Sequence, residues 1–66
     1  MSMQTTGQSS KELERAMNRA LQNPTNSWNW FECFKAGLKL EDALQTALKL
    51  DLKTTAIYDG FKEFRG

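Results

Sequence analysis

The residues that could carry chemistry in this sequence are few: one cysteine, one pair of adjacent carboxylates and no histidine. Histidine is the commonest general base near neutral pH, so its absence leaves a nucleophile without its usual partner. Cys33 lies among aromatic residues on an apolar helix face, whereas a reactive thiol needs an electropositive, partly open site. We therefore interpret Cys33 as a small buried hydrophobe.

The adjacent carboxylates, Glu41 and Asp42, do not indicate acid–base catalysis either. Neighbouring residues of a helix point about 100° apart, and the helix dipole explains acidic residues in a first turn. The sequence has no glycine-rich phosphate loop, no nucleophile elbow and no set of cysteine and histidine ligands for zinc. We expect no enzyme, catalytic residue, cofactor, metal site or small-molecule substrate.

Size and composition limit how this chain is stabilised and where it works. A chain of 66 residues forms one domain at most, with a small core. Cys33 has no second cysteine with which to form a disulfide, so self-association remains as a source of additional stability. A single unpaired cysteine is also typical of proteins in the reducing cytoplasm. The opening residues carry no apolar signal segment and no apolar run is long enough to span a membrane, so we expect no membrane contact.

Helical periodicity runs through most of the sequence. Residues 1–8 are polar and are predicted to form a disordered tail ahead of a single helical domain at residues 9–66. Ser9 and Glu12 have the spacing of a capping box that opens the first helix, and Pro24 follows its end. The apolar face of this helix consists of Leu13, Ala16, Met17, Ala20 and Leu21.

Three further helices are predicted after this proline. The second spans about 27–36 and ends at Gly37, which can adopt a left-handed conformation. The third and the fourth span about 41–50 and 54–64, although Gly60 costs the fourth helix roughly 1 kcal/mol relative to alanine. The apolar face of the third consists of Leu40, Ala43, Leu44, Ala47 and Leu48. The sequence thus predicts an all-α fold, a compact small domain of three to four short helices.

The third and fourth helices and the turn between them resemble a helix-turn-helix motif over residues 42–61. The motif places a small residue in its first helix, here Ala47, and four positions later a residue that tolerates a left-handed turn, here Asp51. Ile57 fits the buried position of the second helix. Gly60 departs from the pattern, because a bulky apolar residue is usual there.

This resemblance implies a DNA-binding transcriptional regulator with the fourth helix in the major groove. The predicted DNA contacts are Lys53, Thr54, Thr55 and Tyr58, with Lys11, Arg15 and Arg19 of the first helix holding phosphates. Alternatively, the threonines cap a helix and the long basic stems cover apolar surface. The net charge of +1 does not favour a nucleic-acid partner.

The aromatic residues suggest a protein partner instead. Trp28 and Trp30 are two positions apart and cannot share one helix face, so one of them needs cover from elsewhere or stays exposed. As an alternative, Trp28 covers the core as a hydrophobic staple, and the phenylalanines pack on the core. Exposed tryptophan near arginine is typical of protein interfaces. The candidate interface residues are Trp28, Trp30, Phe31, Phe61 and Phe64.

Two functions therefore remain open. The near-neutral charge favours a small non-enzymatic regulatory or accessory protein that binds a larger protein, or its own copy as a homodimer. The alternative is a small helix-turn-helix DNA-binding regulator.

Overall fold

The computed structural model describes the backbone of residues 3–66 and the side chains of residues 11–66. Four helices follow one another: α1 (Met3–Gln22), α2 (Ser27–Lys35), α3 (Leu40–Leu50) and α4 (Thr55–Arg65). No strand occurs in the described backbone. The prediction of a compact all-α domain is confirmed, with four helices.

The beginning of α1 differs from the expectation. The helix begins at Met3, so Ser9 lies inside it and is not its N-cap. No proline interrupts residues 3–22, so nothing breaks the backbone hydrogen-bond ladder ahead of Ser9. Disorder was expected at residues 1–8. Residues 1 and 2 lie outside the described residues, and only the backbone is described for residues 3–8, so the expected disorder stays a prediction.

Helix α2 ends in a Schellman turn, as Gly37 predicted. The Leu38 N–H donates to the Cys33 carbonyl at 3.0 Å, and the Gly37 N–H donates to the Phe34 carbonyl at 3.1 Å. Gly37 has φ of 113°, a conformation that favours glycine. The predicted end of the second helix is confirmed.

Helix α3 ends in the same pattern of hydrogen bonds without a glycine. The Leu52 N–H donates to the Ala47 carbonyl at 2.8 Å, and the Asp51 N–H donates to the Leu48 carbonyl at 3.4 Å. Asp51 adopts φ 56° and ψ 45°, the left-handed conformation that the motif resemblance required. The turn leads into Leu52, which packs against the core ahead of α4.

The core is centred on α2, which packs against both α1 and α4. Trp30, Cys33 and Phe34 are the buried residues of this helix and recur at the spacing of one face. The surrounding helices present mainly small side chains to these large aromatic rings. The remaining buried hydrophobic residues are Ala16, Ala20, Ala43, Ala47, Ala56 and Ile57.

Gly60 sets the distance between α2 and α4. A Cβ atom at this position would lie 2.6 Å from the Ser27 carbonyl oxygen and 2.8 Å from the Phe31 backbone nitrogen. Neither backbone atom can move aside without shifting α2. Helix α4 is unbroken and Gly60 is buried within it, so close packing offsets the cost expected for a mid-helix glycine.

Candidate protein-binding surface

The two tryptophans of α2 have opposite environments. Trp30 is fully buried, and its indole Nε1–H donates to the Pro24 carbonyl at 2.9 Å. Trp28 points away from the core and is 59% exposed. The sequence predicted this division, since the residues point about 200° apart. The prediction that Trp30 belongs to the interface is therefore wrong, because a fully buried ring offers no surface to a partner.

Trp28 does not act as a hydrophobic staple. The N-cap of α2 is Asn26, whose side-chain oxygen accepts a hydrogen bond from the Trp28 backbone N–H at 2.9 Å. A staple residue precedes the N-cap, whereas Trp28 follows it and leaves most of its surface in water. The capping hydrogen bond fixes the first turn of α2 and with it the backbone that carries Trp28.

Trp28, Phe31 and Lys35 form a continuous row along the outer side of α2, here called the aromatic row. The rings of Trp28 and Phe31 are stacked, with centroids 4.6 Å apart and planes at 30°. The Lys35 ammonium lies 5.6 Å from the centroid of Phe31. Because the three residues lie three and four positions apart, the helix holds them on one face.

A groove of about 280 Å³ runs beside the aromatic row, between α1 and α2. Its charged lining consists of Glu12, Arg15 and Arg19 from α1 and Glu32 and Lys35 from α2. We call it the α1–α2 groove. Lys35 and Glu32 are paired with each other at 4.0 Å. The two guanidinium groups have no ion pair among the described side chains, so their charge is open to a ligand.

Asn29 ties the two walls of the α1–α2 groove together. Its side-chain amide donates to the carbonyls of Arg19 at 3.4 Å and Asn23 at 3.3 Å. These carbonyls belong to the C-terminal end of α1 and the turn after it, and each also accepts a backbone hydrogen bond, from the N–H groups of Asn23 and Asn26 respectively. The backbone at the end of α1 is therefore tied to α2 by the Asn29 side chain.

Cys33 is unsuited to nucleophilic chemistry. Its side chain is fully buried, and burial raises the pKa of the thiol to about 11, although the nearby positive charge of Arg19 partly opposes the shift. A thiol that stays protonated and inaccessible at neutral pH neither attacks a substrate nor binds a metal. The sequence-based interpretation of a small buried hydrophobe is confirmed.

The residues predicted to contact DNA from α4 are all exposed. Lys53, Thr54, Thr55 and Tyr58 lie at or near the start of this helix. The Thr54 side chain makes no capping hydrogen bond, so capping does not account for that residue. Ala47 and Ile57 are fully buried, as the helix-turn-helix pattern requires.

The two predicted sets of DNA contacts border different cavities. Arg15 and Arg19 face α2 across the α1–α2 groove. Lys53 and Thr55 instead border a small cavity with the turn between α1 and α2, which Pro24 and neighbouring residues line. Lys11 is exposed on α1 and lines neither.

The two candidate phenylalanines of α4 differ from each other. Phe61 packs against the core and meets the ring of Phe34 edge-on, at 5.1 Å and 72°. Phe64, in the last turn, lies 6.1 Å from Phe34 and keeps 45% of its surface exposed. Core packing therefore accounts for Phe61, and Phe64 remains available to a partner.

Sequence reasoning placed two leucines wrongly. Leu21 was assigned to the apolar face of the first helix, but it is 38% exposed at the end of α1. Leu48 was assigned to the buried face of the third helix, but it is 84% exposed, and Leu50 is 53% exposed. Ala43 and Ala47, assigned to the same face, are buried as expected. The apolar residues of this helix cover so wide an arc that the periodicity alone does not show which edge faces the core.

No group of three or more metal-binding side chains forms within residues 11–66. None of the helices, as far as the structure describes them, combines the length and apolar character needed to cross a membrane. Comparison of the chain with protein-family models, curated proteins and solved structures finds no match. The functional proposal therefore depends on the geometry of the surface.

Proposed function

We propose that this chain is a small non-enzymatic regulatory or accessory protein that acts by binding another protein through the aromatic row. The exposure of Trp28 carries the proposal, since 59% of this large ring is in water while it is held in place by the stacked Phe31. Apolar surface left in water forgoes about 25 cal/mol per Å² of possible stabilisation. Burial against a partner would recover that stabilisation.

Rigidity and composition support this proposal. A stacked pair on a capped helix loses little conformational freedom when it is buried in an interface. Tryptophan and arginine are the residues most enriched among those that dominate binding energy, and Arg15 and Arg19 lie in the adjoining groove. The inert thiol of Cys33 agrees with a non-enzymatic protein of the reducing cytoplasm.

Comparing matched variants as bait tests the proposal. Wild type, Trp28→Ala and Leu48→Ala are each used to capture proteins from cells of the native source, and the affinity of any captured protein is then measured with purified components. We expect Trp28→Ala to weaken binding about 30-fold or more, the equivalent of 2 kcal/mol. Leu48→Ala is the control, because it removes an even more exposed apolar side chain from another helix. Equal affinity of all three baits would overturn the proposal.

The partner could also be a second copy of this chain. Light scattering over a range of concentrations measures this directly. A mass that doubles in the wild type and stays monomeric in Trp28→Ala would identify a homodimer built on the aromatic row. A concentration-independent monomer would instead assign the row to a different protein.

A DNA-binding regulator is the second candidate function, and the left-handed turn at Asp51 favours it. This turn, with Ala47 and Ile57 buried on either side, matches the helix-turn-helix pattern. The charge of α4 and the turn before it gives the DNA-binding function no further support. From residue 51 onward the chain has Lys53, Lys62 and Arg65 against Asp51, Asp59 and Glu63, so the segment carries no net charge.

Fluorescence anisotropy with labelled duplex DNA tests this second function. A DNA-binding domain would show affinity that falls steeply with salt and weakens in Lys53→Ala. Binding that is absent at low salt, or unchanged in Lys53→Ala, would remove this candidate.

A further inference from the structure

We propose that the aromatic row and the α1–α2 groove form one docking surface for an acidic amphipathic helix of a partner protein. The partner helix would present two carboxylates one turn apart to Arg15 and Arg19 and an apolar side chain to Trp28. This inference rests on the proposed function, and it specifies the chemistry of the partner.

The two features are continuous on the surface of α2. Lys35 lines the groove and also lies over the ring of Phe31, so it belongs to both. Glu32 also lines the groove. It lies four residues after Trp28, so the two side chains lie one turn apart on the same side of α2. The groove therefore adjoins the aromatic row at Lys35, and a helix longer than the groove could extend along the row to Trp28.

The charges of the groove favour carboxylate ligands. Lys35 and Glu32 pair with each other at 4.0 Å, which leaves Arg15, Arg19 and Glu12 as the remaining charged lining. The surplus is one positive charge, carried by guanidinium groups that suit bidentate binding of carboxylates. The Asn29 hydrogen bond holds the backbone of Arg19 against α2, so the guanidinium extends into the groove from a fixed point of α1.

The spacing of the arginines favours a helical ligand. Arg15 and Arg19 lie four residues apart on α1, about 6 Å along the helix axis. Carboxylates four residues apart on a partner helix have the same spacing. The groove of about 280 Å³ lies at the lower end of the usual range for small-molecule pockets, about 300–1,000 Å³, and is large enough for individual side chains of a helix. Binding of an amphipathic helix along such a groove is a common mode of recognition.

A nucleic acid fits this surface less well. A phosphate backbone presents closely spaced negative charges along its whole length, and Glu12 and Glu32 in the groove lining would repel it. A peptide can place its two carboxylates at the arginines and uncharged side chains beside the glutamates. The observations therefore favour an acidic protein segment over DNA or RNA.

An NMR titration with defined peptides tests the inference. One probe is a helical peptide with glutamates four residues apart and leucines on the same side, and the matched probe has glutamine in place of each glutamate. The readouts on the ¹⁵N-labelled protein are the Arg15 and Arg19 side-chain Nε–H signals and the Trp28 indole N–H signal. We expect the acidic peptide to shift all three and to bind at least tenfold more tightly than the glutamine peptide.

Matched charge variants decide whether the preference comes from the groove. Replacing both groove arginines (Arg15→Gln with Arg19→Gln) should abolish the preference for the acidic peptide. The control, Lys49→Gln with Lys62→Gln, removes the same amount of charge from exposed positions elsewhere and should keep it. All four side chains are exposed, so both variants should fold like the wild type.

The possible outcomes separate this inference from the function beneath it. Equal binding of both peptides with a shift at Trp28 would refute the acidic partner and leave protein binding by the aromatic row intact. No shift from either peptide at millimolar concentration would overturn the inference, while the bait comparison still decides the function independently. Stronger shifts at Arg15 and Arg19 from duplex DNA than from the acidic peptide would also overturn it, by assigning the groove to nucleic acid.

Discussion

The thiol of Cys33 links one residue to the stability of the whole domain. Burial raises its pKa from 9.0 to about 11, so between these values the folded protein keeps a proton that the unfolded chain has lost. Folding then requires uptake of a proton, which becomes less favourable as pH rises. The free energy of unfolding should therefore fall between pH 9 and pH 11 and be unaffected by this group below pH 9.

This dependence is measurable against a matched variant. Urea unfolding at several pH values should give a decrease in stability of up to about 1.4 kcal/mol per pH unit from this group. Cys33→Ala should lack that part of the slope, because the substitution removes the thiol and leaves every other ionisable group in place. The same slope in both would contradict a buried, protonated thiol.

Asp51 is strained by its left-handed conformation, and its charge lies at the C-terminal end of α3, where the helix dipole disfavours an anion. Asp51→Gly should raise the free energy of unfolding by about 0.5–1 kcal/mol. This figure is net of the opposing effect of glycine, which increases the conformational entropy of the unfolded chain. Thermal denaturation would show a rise of a few degrees. Asp51→Asn, which removes only the charge, should give a smaller rise. A lower melting temperature for Asp51→Gly would contradict this account of the turn.

Sequence reasoning narrowed the tryptophan question but did not answer it. Helical geometry required Trp28 and Trp30 to face different directions. Which of them became buried depended on where α4 packs, and that is set by the contact of Gly60 with the backbone of Ser27 and Phe31. A tertiary contact of this kind leaves no pattern in the local sequence.

At the level of helices, the close contact between α2 and α4 makes a sharp prediction. Gly60→Ala gains helix propensity of about 1 kcal/mol but places a Cβ atom against two backbone atoms of α2. We expect net destabilisation of about 1–3 kcal/mol, measured by chemical denaturation. Asp59→Ala, on the exposed side of the same turn, is the control and should change stability by less than about 0.5 kcal/mol. A Gly60→Ala protein as stable as the wild type would show that the helices are not packed so closely.

The ends of the helices were easier to predict than their buried faces. Gly37 and the residue at position 51 indicated where α2 and α3 end, because local hydrogen bonding and backbone conformation determine such turns. The error at Leu48 arose because both edges of α3 are apolar, and only packing selected the alanine side. The start of α1 was misplaced, since a good capping sequence does not prevent a helix from beginning earlier.

At the scale of the whole molecule, a chain of 66 residues keeps Trp28 exposed although its core is small. The exposed ring adjoins a groove whose arginines have no ion pair among the described side chains. The predicted DNA contacts of α4 lie elsewhere, beside the turn between α1 and α2. The predicted DNA contacts of α4 and the aromatic row therefore lie on different surfaces, and a probe on each surface can distinguish the two functions.

Photo-crosslinking inside cells of the native source tests the central proposal most directly. The photoreactive residue p-benzoylphenylalanine replaces either Trp28 or Tyr58, with the exposed position of Leu48 as control. Protein binding through the aromatic row predicts a discrete protein adduct from position 28 and none from position 48. A nucleic-acid adduct from position 58, with no protein adduct from position 28, would contradict the proposal and favour the DNA-binding function.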